Sequence, residues 1–133
     1  MSALPMLGVF AEPAALDAVD AYRIAPDEAM VLGEPDAAPS VSIDDPAAVV
    51  LDVTDGWTVL TLTGDRVRDA FARLSALRLP DEGFVQGDVS RVPARVLVEP
   101  ERLRILVPSM WGDHLRSRIL ARCASLGIRE VAR

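Results

Sequence analysis

The pattern of apolar and polar positions is clearest between residues 52 and 79, where it predicts a strand followed by a helix. Valine, leucine and threonine fill the run from Thr58 to Thr63, a composition typical of a β-strand. Gly64 ends this run. Apolar residues then recur with the i, i+3, i+4, i+7 spacing of an amphipathic helix, at Val67, Ala70, Phe71 and Leu74. We therefore predict a helix from about Asp65 to Ala76 that packs on a sheet.

The residues before this segment predict an arm, a hairpin and a loop. Proline and glycine interrupt residues 1–20, which we expect to form an N-terminal arm that a partner orders and that holds one turn of helix at most. Residues 20–33 predict two strands joined by a turn at Pro26, Asp27 and Glu28. A loop rich in proline and aspartate follows from Glu34 to Pro46, with a short extended piece at residues 41–43.

The continuous apolar run from Ala47 to Asp52 predicts a strand that is covered on both faces. Asp55 and Gly56 are typical of a turn, so this strand could form a hairpin with the strand from Trp57 to Thr63.

The last third of the chain predicts two strands and a second helix. We expect a loop from Leu77 to Asp88 and strands at Arg91–Val98 and Leu103–Val107. A helix should begin with Ser109 as its N-cap and end near Gly127, with an apolar face made of Leu115, Ile119, Cys123 and Leu126. The order of elements predicts an α+β fold, a mixed or antiparallel sheet with both helices on one side, as a single domain over residues 21–133.

Charge is distributed unevenly along the chain. All fourteen basic residues are arginine. Residues 1–56 carry a net charge of −10, and residues 57–133 carry +4. This balance argues against nucleic acid, because phosphate binding needs a concentrated basic surface. Either the two halves attract one another within the fold, or each faces an oppositely charged patch on a partner.

Composition narrows the cellular setting. No apolar run approaches the about 20 residues that a membrane span requires. The first residues lack the basic start of a secretory signal. Cys123 is the only cysteine, so the chain cannot form an internal disulfide. We expect a cytoplasmic protein that does not associate with a membrane.

Groups that could carry chemistry are few. His114 is the only histidine, and no motif places a nucleophile beside it. The carboxylates at Asp52, Asp55 and Asp44–Asp45 are also typical of turns. Without lysine the chain has no Schiff-base residue. We predict no catalytic, cofactor-binding or metal-binding residue in this chain.

Five residues are candidates for a partner interface. Met110 and Trp111 lie in the first turn of the second predicted helix, outside its apolar face, where Trp111 could serve an interface or the edge of the core. The arm carries Glu12, Asp17 and Asp20 with no basic residue, which suits a basic groove on a larger subunit.

Three segments together resemble one protein family. Ile24–Gly33 is similar to an early strand turn of the form aliphatic-x-Pro-Asp-Glu-x-x-Leu-Leu-Gly. Asp52–Leu79 is similar to a central element of Asp-Val-Ser-Asp-Gly, strand, glycine, helix and Leu-x-Leu. Leu103–Leu115 is similar to a closing strand, Val-Pro-x-Ser-aromatic and helix. In this order they resemble the gamma subunit of heterotetrameric sarcosine oxidase, which has an aminomethyltransferase (T-protein)-like fold.

The resemblance implies a non-catalytic small subunit with half of a T-protein-like folate-binding fold. Such a subunit would assist assembly and stability of an oxidase that demethylates sarcosine or a related N-methyl amine in one-carbon metabolism. Its partners would be larger flavoprotein subunits, which would carry flavin, NAD and tetrahydrofolate. The alternatives are a stand-alone folate-binding or aminomethyltransferase-like protein and an interaction module of the same fold. The loop from Glu34 to Pro46 stands where the family usually has a helix, which leaves the identity of the oxidase complex open.

Overall fold

The computed structural model describes residues 4–33 and 43–131. The chain divides into two compact units. The N-terminal unit ends at Thr54 and the C-terminal unit begins at Asp55, whereas the sequence predicts a boundary after residue 20. The division lies close to Gly56, after which the net charge of the sequence changes sign. The N-terminal unit is therefore the acidic one.

The N-terminal unit is built on a four-stranded antiparallel sheet in the order β2-β3-β1-β4. One short helix packs with the sheet, and a small apolar cluster of Val9, Ala11, Ala15, Leu16 and Ala29 forms its interior. The elements are β1 (Met6–Phe10), α1 (Pro13–Leu16), β2 (Tyr22–Ala25), β3 (Glu28–Leu32) and β4 (Val49–Asp52).

The predicted hairpin before residue 33 is confirmed. Strands β2 and β3 pair in antiparallel fashion on either side of a turn at Pro26 and Asp27. Glu28, which we assigned to the turn, is the first residue of β3. Most of the loop predicted from Glu34 to Pro46, and residues 41 and 42 of the extended piece within it, lie outside the described residues.

The prediction that residues 1–20 form an arm without a strand is wrong for residues 6–10. These residues form β1, which pairs with β3 on one side and β4 on the other. The strand is only five residues long and contains Gly8, so its local pattern is weak. Its stability comes from two partners that lie far along the chain. The single turn of helix expected in this region is present as α1.

The prediction for the apolar run from Ala47 to Asp52 is also wrong in two respects. The run forms β4, but β4 lies at the edge of the sheet and all four of its residues are exposed. It pairs with β1 and forms no hairpin with the strand at Trp57–Thr63. A continuous apolar run is typical of a strand covered on both faces, and it equally suits an edge strand whose outer surface is apolar.

The C-terminal unit has a five-stranded antiparallel sheet in the order β6-β7-β8-β5-β9. Its elements are β5 (Trp57–Thr63), α2 (Val67–Ala72), β6 (Gly83–Val89), β7 (Val92–Glu99), β8 (Arg102–Pro108), α3 (Gly112–Cys123) and β9 (Arg129–Val131). Together with the N-terminal unit this confirms the predicted α+β class, whereas the prediction of one sheet is wrong, because the strands form two separate antiparallel sheets. Its description as half of a T-protein-like fold remains a prediction.

Both predicted helices pack on one side of this sheet through the predicted faces. Phe71 of α2 is 2% exposed and Leu115 of α3 is fully buried. The two helices share one apolar core with alternate residues of β5, β7 and β8, such as Leu60, Val96 and Ile105. The spacing of apolar residues along each helix therefore identified its buried side.

Two strands and one cap differ from the sequence prediction. The predicted loop from Leu77 to Asp88 contains most of β6, and β9 was not predicted. Ser109 does not cap a helix with its side chain, because its hydroxyl donates to the carbonyl oxygen of Asp55 at 2.7 Å. A short 3₁₀ helix at Ser109–Trp111 precedes α3. Gly127 has a φ of +67°, as expected for a residue that ends a helix.

Candidate partner interface

The N-terminal unit exposes an apolar surface on β1 and β4. Phe10 lies directly opposite Val49 in the antiparallel pair, so both side chains point to the same face. Leu51 is two residues beyond Val49 on β4 and therefore joins them on that face. Val49 is 47% exposed and Leu51 is 50% exposed. We call Phe10, Val49 and Leu51 the β1–β4 apolar face.

Gly8 allows the aromatic ring of Phe10 to lie close to the backbone of β1 on this face. A β carbon built on Gly8 would be 3.3 Å from Cε2 of Phe10 and 3.4 Å from Cγ1 of Val53. Gly8 is also the residue opposite Leu51 in the pair of strands. The ring therefore extends over the position beside Leu51, which makes the apolar surface continuous.

The C-terminal unit exposes Met110 and Trp111 at the start of α3. Met110 is 81% exposed and Trp111 is 43% exposed, so Trp111 lies outside the core. The Trp111 ring contacts the ring of His114 edge-on, with centroids 5.9 Å apart. Ser109, the residue before Met110, is held by a hydrogen bond from its hydroxyl to the carbonyl oxygen of Asp55. This geometry makes both apolar side chains available, and their role in a partner interface stays a prediction.

Leu120 on α3 is a further exposed apolar side chain that sequence reasoning did not select. It is 62% exposed. Helical spacing places Leu120 outside the apolar stripe formed by Leu115, Ile119 and Cys123. This spacing is the signal in the sequence that could have identified Leu120 as exposed.

The three acidic candidates differ in their surroundings. The carboxylate of Asp17 forms an ion pair with Arg23 within the N-terminal unit. The backbone of Glu12 donates a hydrogen bond to Oδ2 of Asp45 at 2.9 Å, while the Glu12 side chain is exposed. Asp20 is exposed. Arg23 thus already pairs with part of the acidic surface that we assigned to a partner.

Trp57 does not join the core beneath the helices. Its neighbour Thr58 faces α3, as its side chain lies against Gly112, so Trp57 points to the opposite face of the sheet. There the guanidinium carbon of Arg95 lies 3.9 Å from the centre of its ring. Trp57 therefore makes a cation–π contact on the face of the sheet opposite the helices.

The chain was compared with known proteins at three levels. No family model matches it, and no curated protein matches its sequence. A solved structure does match: a chain of the heterotetrameric sarcosine oxidase from Corynebacterium sp. U-96, determined in complex with pyrrole 2-carboxylate. The match has a TM-score of 0.80 and 16% sequence identity, and it covers 99% of this chain and 85% of that chain. The chain has the fold of a sarcosine oxidase chain.

The resemblance to sarcosine oxidase that the sequence predicts is thus confirmed at the level of the fold. The three segments that carry it occupy defined elements. Ile24–Gly33 contains the second half of β2, its turn and all of β3, and Asp52–Leu79 contains β5 and α2. Leu103–Leu115 runs from β8 into α3. These segments lie in both units, so the resemblance is not confined to a single common motif.

The candidate catalytic carboxylates have structural contacts. Oδ1 of Asp52 accepts hydrogen bonds from the hydroxyl of Thr54 at 2.6 Å and from its backbone N–H at 3.0 Å. Both bonds lower the pKa of Asp52, and the bond from the hydroxyl has the larger effect. Asp45 accepts from the backbone N–H groups of Glu12 and Ala47. Both carboxylates therefore fix turns, as short polar side chains commonly do.

His114 and Cys123 lie in contrasting environments. His114 is exposed beside Trp111. Cys123 is 1% exposed, and burial raises the pKa of its thiol, while Arg73 and Arg122 act in the opposite direction. Its Sγ lies 3.6 Å from the carbonyl oxygen of Ala70, to which it donates. Within residues 4–33 and 43–131, no group of three or more histidine, cysteine and acidic side chains is arranged to hold a metal ion.

A polar groove of about 690 Å³ runs beside the start of α2 and the β7–β8 turn. Charged side chains of both signs line it, including Asp65, Arg68, Asp81, Glu99 and Arg102. Pockets for small organic ligands are usually lined by apolar and aromatic side chains. The charged lining of this groove therefore differs from the usual lining of such pockets.

In the part of the chain that the structure describes, no helix has the length and apolar character needed to cross a membrane.

Proposed function

We propose that this chain is the small, non-catalytic gamma-type subunit of a hetero-oligomeric sarcosine oxidase or a related N-methyl amine oxidase. The observation that carries the proposal is the structural match over 99% of this chain and 85% of a chain from a heterotetrameric oxidase. Because the match extends through both units, this chain can occupy the place that the whole neighbouring chain occupies in its assembly. Its role is to assist assembly and stability of the complex.

Exposed apolar side chains support a hetero-oligomeric state. Stable interfaces are centred on apolar and aromatic side chains that are fully buried only in the complex. The β1–β4 apolar face provides three such side chains, and Met110 and Trp111 provide two more. A larger flavoprotein subunit that covers these surfaces would remove them from water, which is favourable by about 25 cal/mol for each Å² of apolar area.

The contacts of the candidate chemical groups support a non-catalytic role. Asp52 and Asp45 are bound to turns, and the Cys123 thiol is buried. The sequence has no lysine for covalent catalysis. The proposal therefore assigns flavin, NAD and tetrahydrofolate to the larger subunits, in a cytoplasmic complex of one-carbon metabolism.

Co-purification from the native cell extract tests the assembly role. A tagged, full-length chain should bring down larger subunits that contain flavin and produce peroxide from sarcosine or a related N-methyl amine. If the chain elutes alone as a stable monomer, the subunit role is refuted. A stand-alone protein of the same fold would then be the better interpretation.

The purified chain by itself tests the non-catalytic role. It should show no flavin absorbance and no peroxide production with sarcosine, and it should not bind tetrahydrofolate in a calorimetric titration. Stoichiometric tetrahydrofolate binding would contradict the assignment of this cofactor to the partner subunits. Amine oxidation by the isolated chain would contradict the non-catalytic role itself.

A further inference from the structure

An open groove in the C-terminal unit brings four arginines together. The groove has a volume of about 320 Å³ and is lined by Arg73, Leu74, Ser90, Arg91, Arg118 and Arg122. We call it the arginine groove. Its lining contains no acidic residue, although the sequence as a whole has a net charge of −6. The groove is therefore a local concentration of positive charge on an acidic protein.

The four arginines come from three separate elements of the C-terminal unit. Arg73 follows α2, and Arg118 and Arg122 lie one turn apart on the same side of α3. Arg91 lies in the turn between β6 and β7, where Ser90 has a φ of +49° and Arg91 a φ of +67°. The backbone N–H of Ser90 donates to the carbonyl oxygen of Leu74 at 2.7 Å, which fixes this turn against the end of α2.

Arg73 forms one wall of the groove. Its Nη1 donates to the carbonyl oxygen of Arg122 at 2.8 Å and lies 3.4 Å from the hydroxyl of Ser125. A guanidinium has five N–H donors on three nitrogens, and both of these contacts use Nη1. The side chain is thus held across the end of α3, and within residues 4–33 and 43–131 its other nitrogens make no hydrogen bond, so they can bind a ligand.

The remaining arginines are not neutralised by the described chain. Within residues 4–33 and 43–131, no acidic side chain forms an ion pair with Arg91, Arg118 or Arg122. By contrast, Arg66 on the same unit pairs with Asp69 at 3.1 Å. Like charges held close together repel one another, and a bound anion would relieve that repulsion.

We propose that the arginine groove receives an acidic peptide segment, rich in aspartate or glutamate, from a larger subunit of the complex. This inference rests on the proposed function and specifies where one partner docks. Guanidinium groups bind carboxylates through paired hydrogen bonds, and arginines spread over three elements can engage carboxylates along an extended chain. The groove is open, and all four arginines are exposed. An open, charged surface suits a docked segment more than an enclosed small molecule.

Binding of a labelled hexaglutamate peptide to the full-length chain tests the inference directly. The variant Arg91→Gln/Arg118→Gln removes two groove charges. Arg78→Gln/Arg129→Gln is the matched control, because it removes the same charge from exposed positions outside the groove. At low ionic strength we expect the groove variant to weaken the fluorescence-anisotropy dissociation constant about tenfold, and the control to change it by about twofold or less.

Each other result of this titration overturns the proposal. Equal weakening by both variants would mean that the peptide responds to net charge alone. A lack of binding by the unmodified chain would mean that the groove does not recognise carboxylates. If tripolyphosphate binds in an Arg91- and Arg118-dependent manner while hexaglutamate does not, the groove is a site for a small phosphate anion instead.

Co-purification separates failure of this inference from failure of the proposed function. We expect the unmodified chain to retain the larger subunits, and Arg91→Gln/Arg118→Gln to lose them at lower salt than the control does. If the groove variant retains them as well as the control at every salt concentration, the inference fails and the proposed function stands. If the unmodified chain elutes alone, the proposed function fails, and the docking role of the groove fails with it.

Discussion

At the scale of single residues, Gly112 sets how closely α3 approaches β5. A β carbon at this position would lie 2.7 Å from Oγ1 of Thr58 and 2.9 Å from its Cβ. Such distances are far shorter than ordinary contacts between carbon atoms. Thr58 belongs to an inner strand that pairs on both sides, so its side chain cannot move away from α3 easily. Glycine is therefore required here for close approach rather than for a special backbone angle.

We predict that Gly112→Ala destabilises the chain although alanine is the better helix former. Overpacking of this kind costs roughly 1–3 kcal/mol, which exceeds the about 1 kcal/mol that alanine gains over glycine in a helix. The free energy of unfolding measured with urea provides the test. Gly56→Ala is the matched control, since a β carbon at Gly56 would meet nothing within 4 Å. A Gly112→Ala variant as stable as the control would refute the close contact.

The turn after β4 predicts a specific pH response. The Thr54 hydroxyl is the main cause of the lowered pKa of Asp52, and the Thr54 backbone N–H is the second. A carboxyl whose pKa is lower in the folded state contributes stability above its unfolded pKa, and this contribution is lost as the pH falls through the folded pKa. The hydroxyl also accepts from the backbone N–H of Met6 at 2.9 Å, so protonation of Asp52 weakens a link between β1 and β4.

We expect Thr54→Val to raise the pKa of Asp52 towards the usual value for aspartate. The measurement is an NMR titration of the Asp52 carboxyl carbon. Thr54→Ser, which keeps the hydroxyl, should leave the pKa lowered. Identical titration curves for the valine and serine variants would show that the hydroxyl does not stabilise the carboxylate.

At the scale of whole elements, the two longer helices show what local pattern can predict. The buried side of a helix repeats every three to four residues, so it is visible within a short window. Val67, Phe71 and Leu74 in and after α2 and Leu115 and Ile119 in α3 were all predicted to face the core, and they do. α2 itself is shorter than predicted, with six residues from Val67 to Ala72.

Phe71→Ala should remove much of the stability of the C-terminal unit. Phe71 is 2% exposed and lies within the apolar core. Removal of a buried phenylalanine ring costs about 3–5 kcal/mol, a large part of the roughly 5–15 kcal/mol that stabilises a typical domain. Thermal unfolding gives the measurement, and Ala72→Gln on the exposed side of α2 is the control. An unchanged midpoint in Phe71→Ala would contradict the packing.

Two of the strands were harder to predict, because their own residues form a weak pattern and pairing with other strands stabilises them. β6 contains Gly83, Gln86, Gly87 and Asp88, and few of these residues favour a strand by themselves. It forms because seven residue pairs join it to β7. β1 likewise depends on β3 and β4. The partners of β1 lie far along the chain, whereas β6 pairs with the next strand through a two-residue turn whose residues are not typical of a hairpin. Sequence analysis therefore assigned β6 to a loop and β1 to an arm.

At the scale of the whole molecule, charge and surface could be predicted only in part. The change of sign near residue 56 was visible in the sequence, and it falls close to the division between the two units. The exposure of Met110 was also predicted from helical spacing. The β1–β4 apolar face and the arginine groove were not, because each joins residues that only strand pairing or helix packing brings together.

The position of β1 also changes how the partner interface should be tested. Deletion of residues 1–20 would remove β1, an inner strand of its sheet, and with it the pairing that holds β4. Loss of partners after such a deletion would report unfolding. Substitution of a single exposed residue avoids this problem.

We predict that Leu51→Asp separates the chain from its larger subunits without unfolding it. Leu51 is half exposed on an edge strand, so an aspartate there stays in contact with water in the free chain. In a complex that covers the β1–β4 apolar face, the same carboxylate would be buried without a partner charge. Loss of an interface hot spot costs about 2 kcal/mol or more, which is roughly a 30-fold weaker dissociation constant.

Leu120→Asp is the comparison variant, as it places the same charge at an exposed leucine of the other unit. Co-purification with the larger subunits, together with circular dichroism of the isolated chains, distinguishes the outcomes. We expect both variants to fold and only Leu51→Asp to lose its partners. If Leu51→Asp retains them while Leu120→Asp does not, the apolar part of the interface lies at Leu120 on α3, and the β1–β4 apolar face serves another purpose. An edge strand with this much apolar surface is a risk for aggregation in a free monomer, and coverage by a partner would offset that risk.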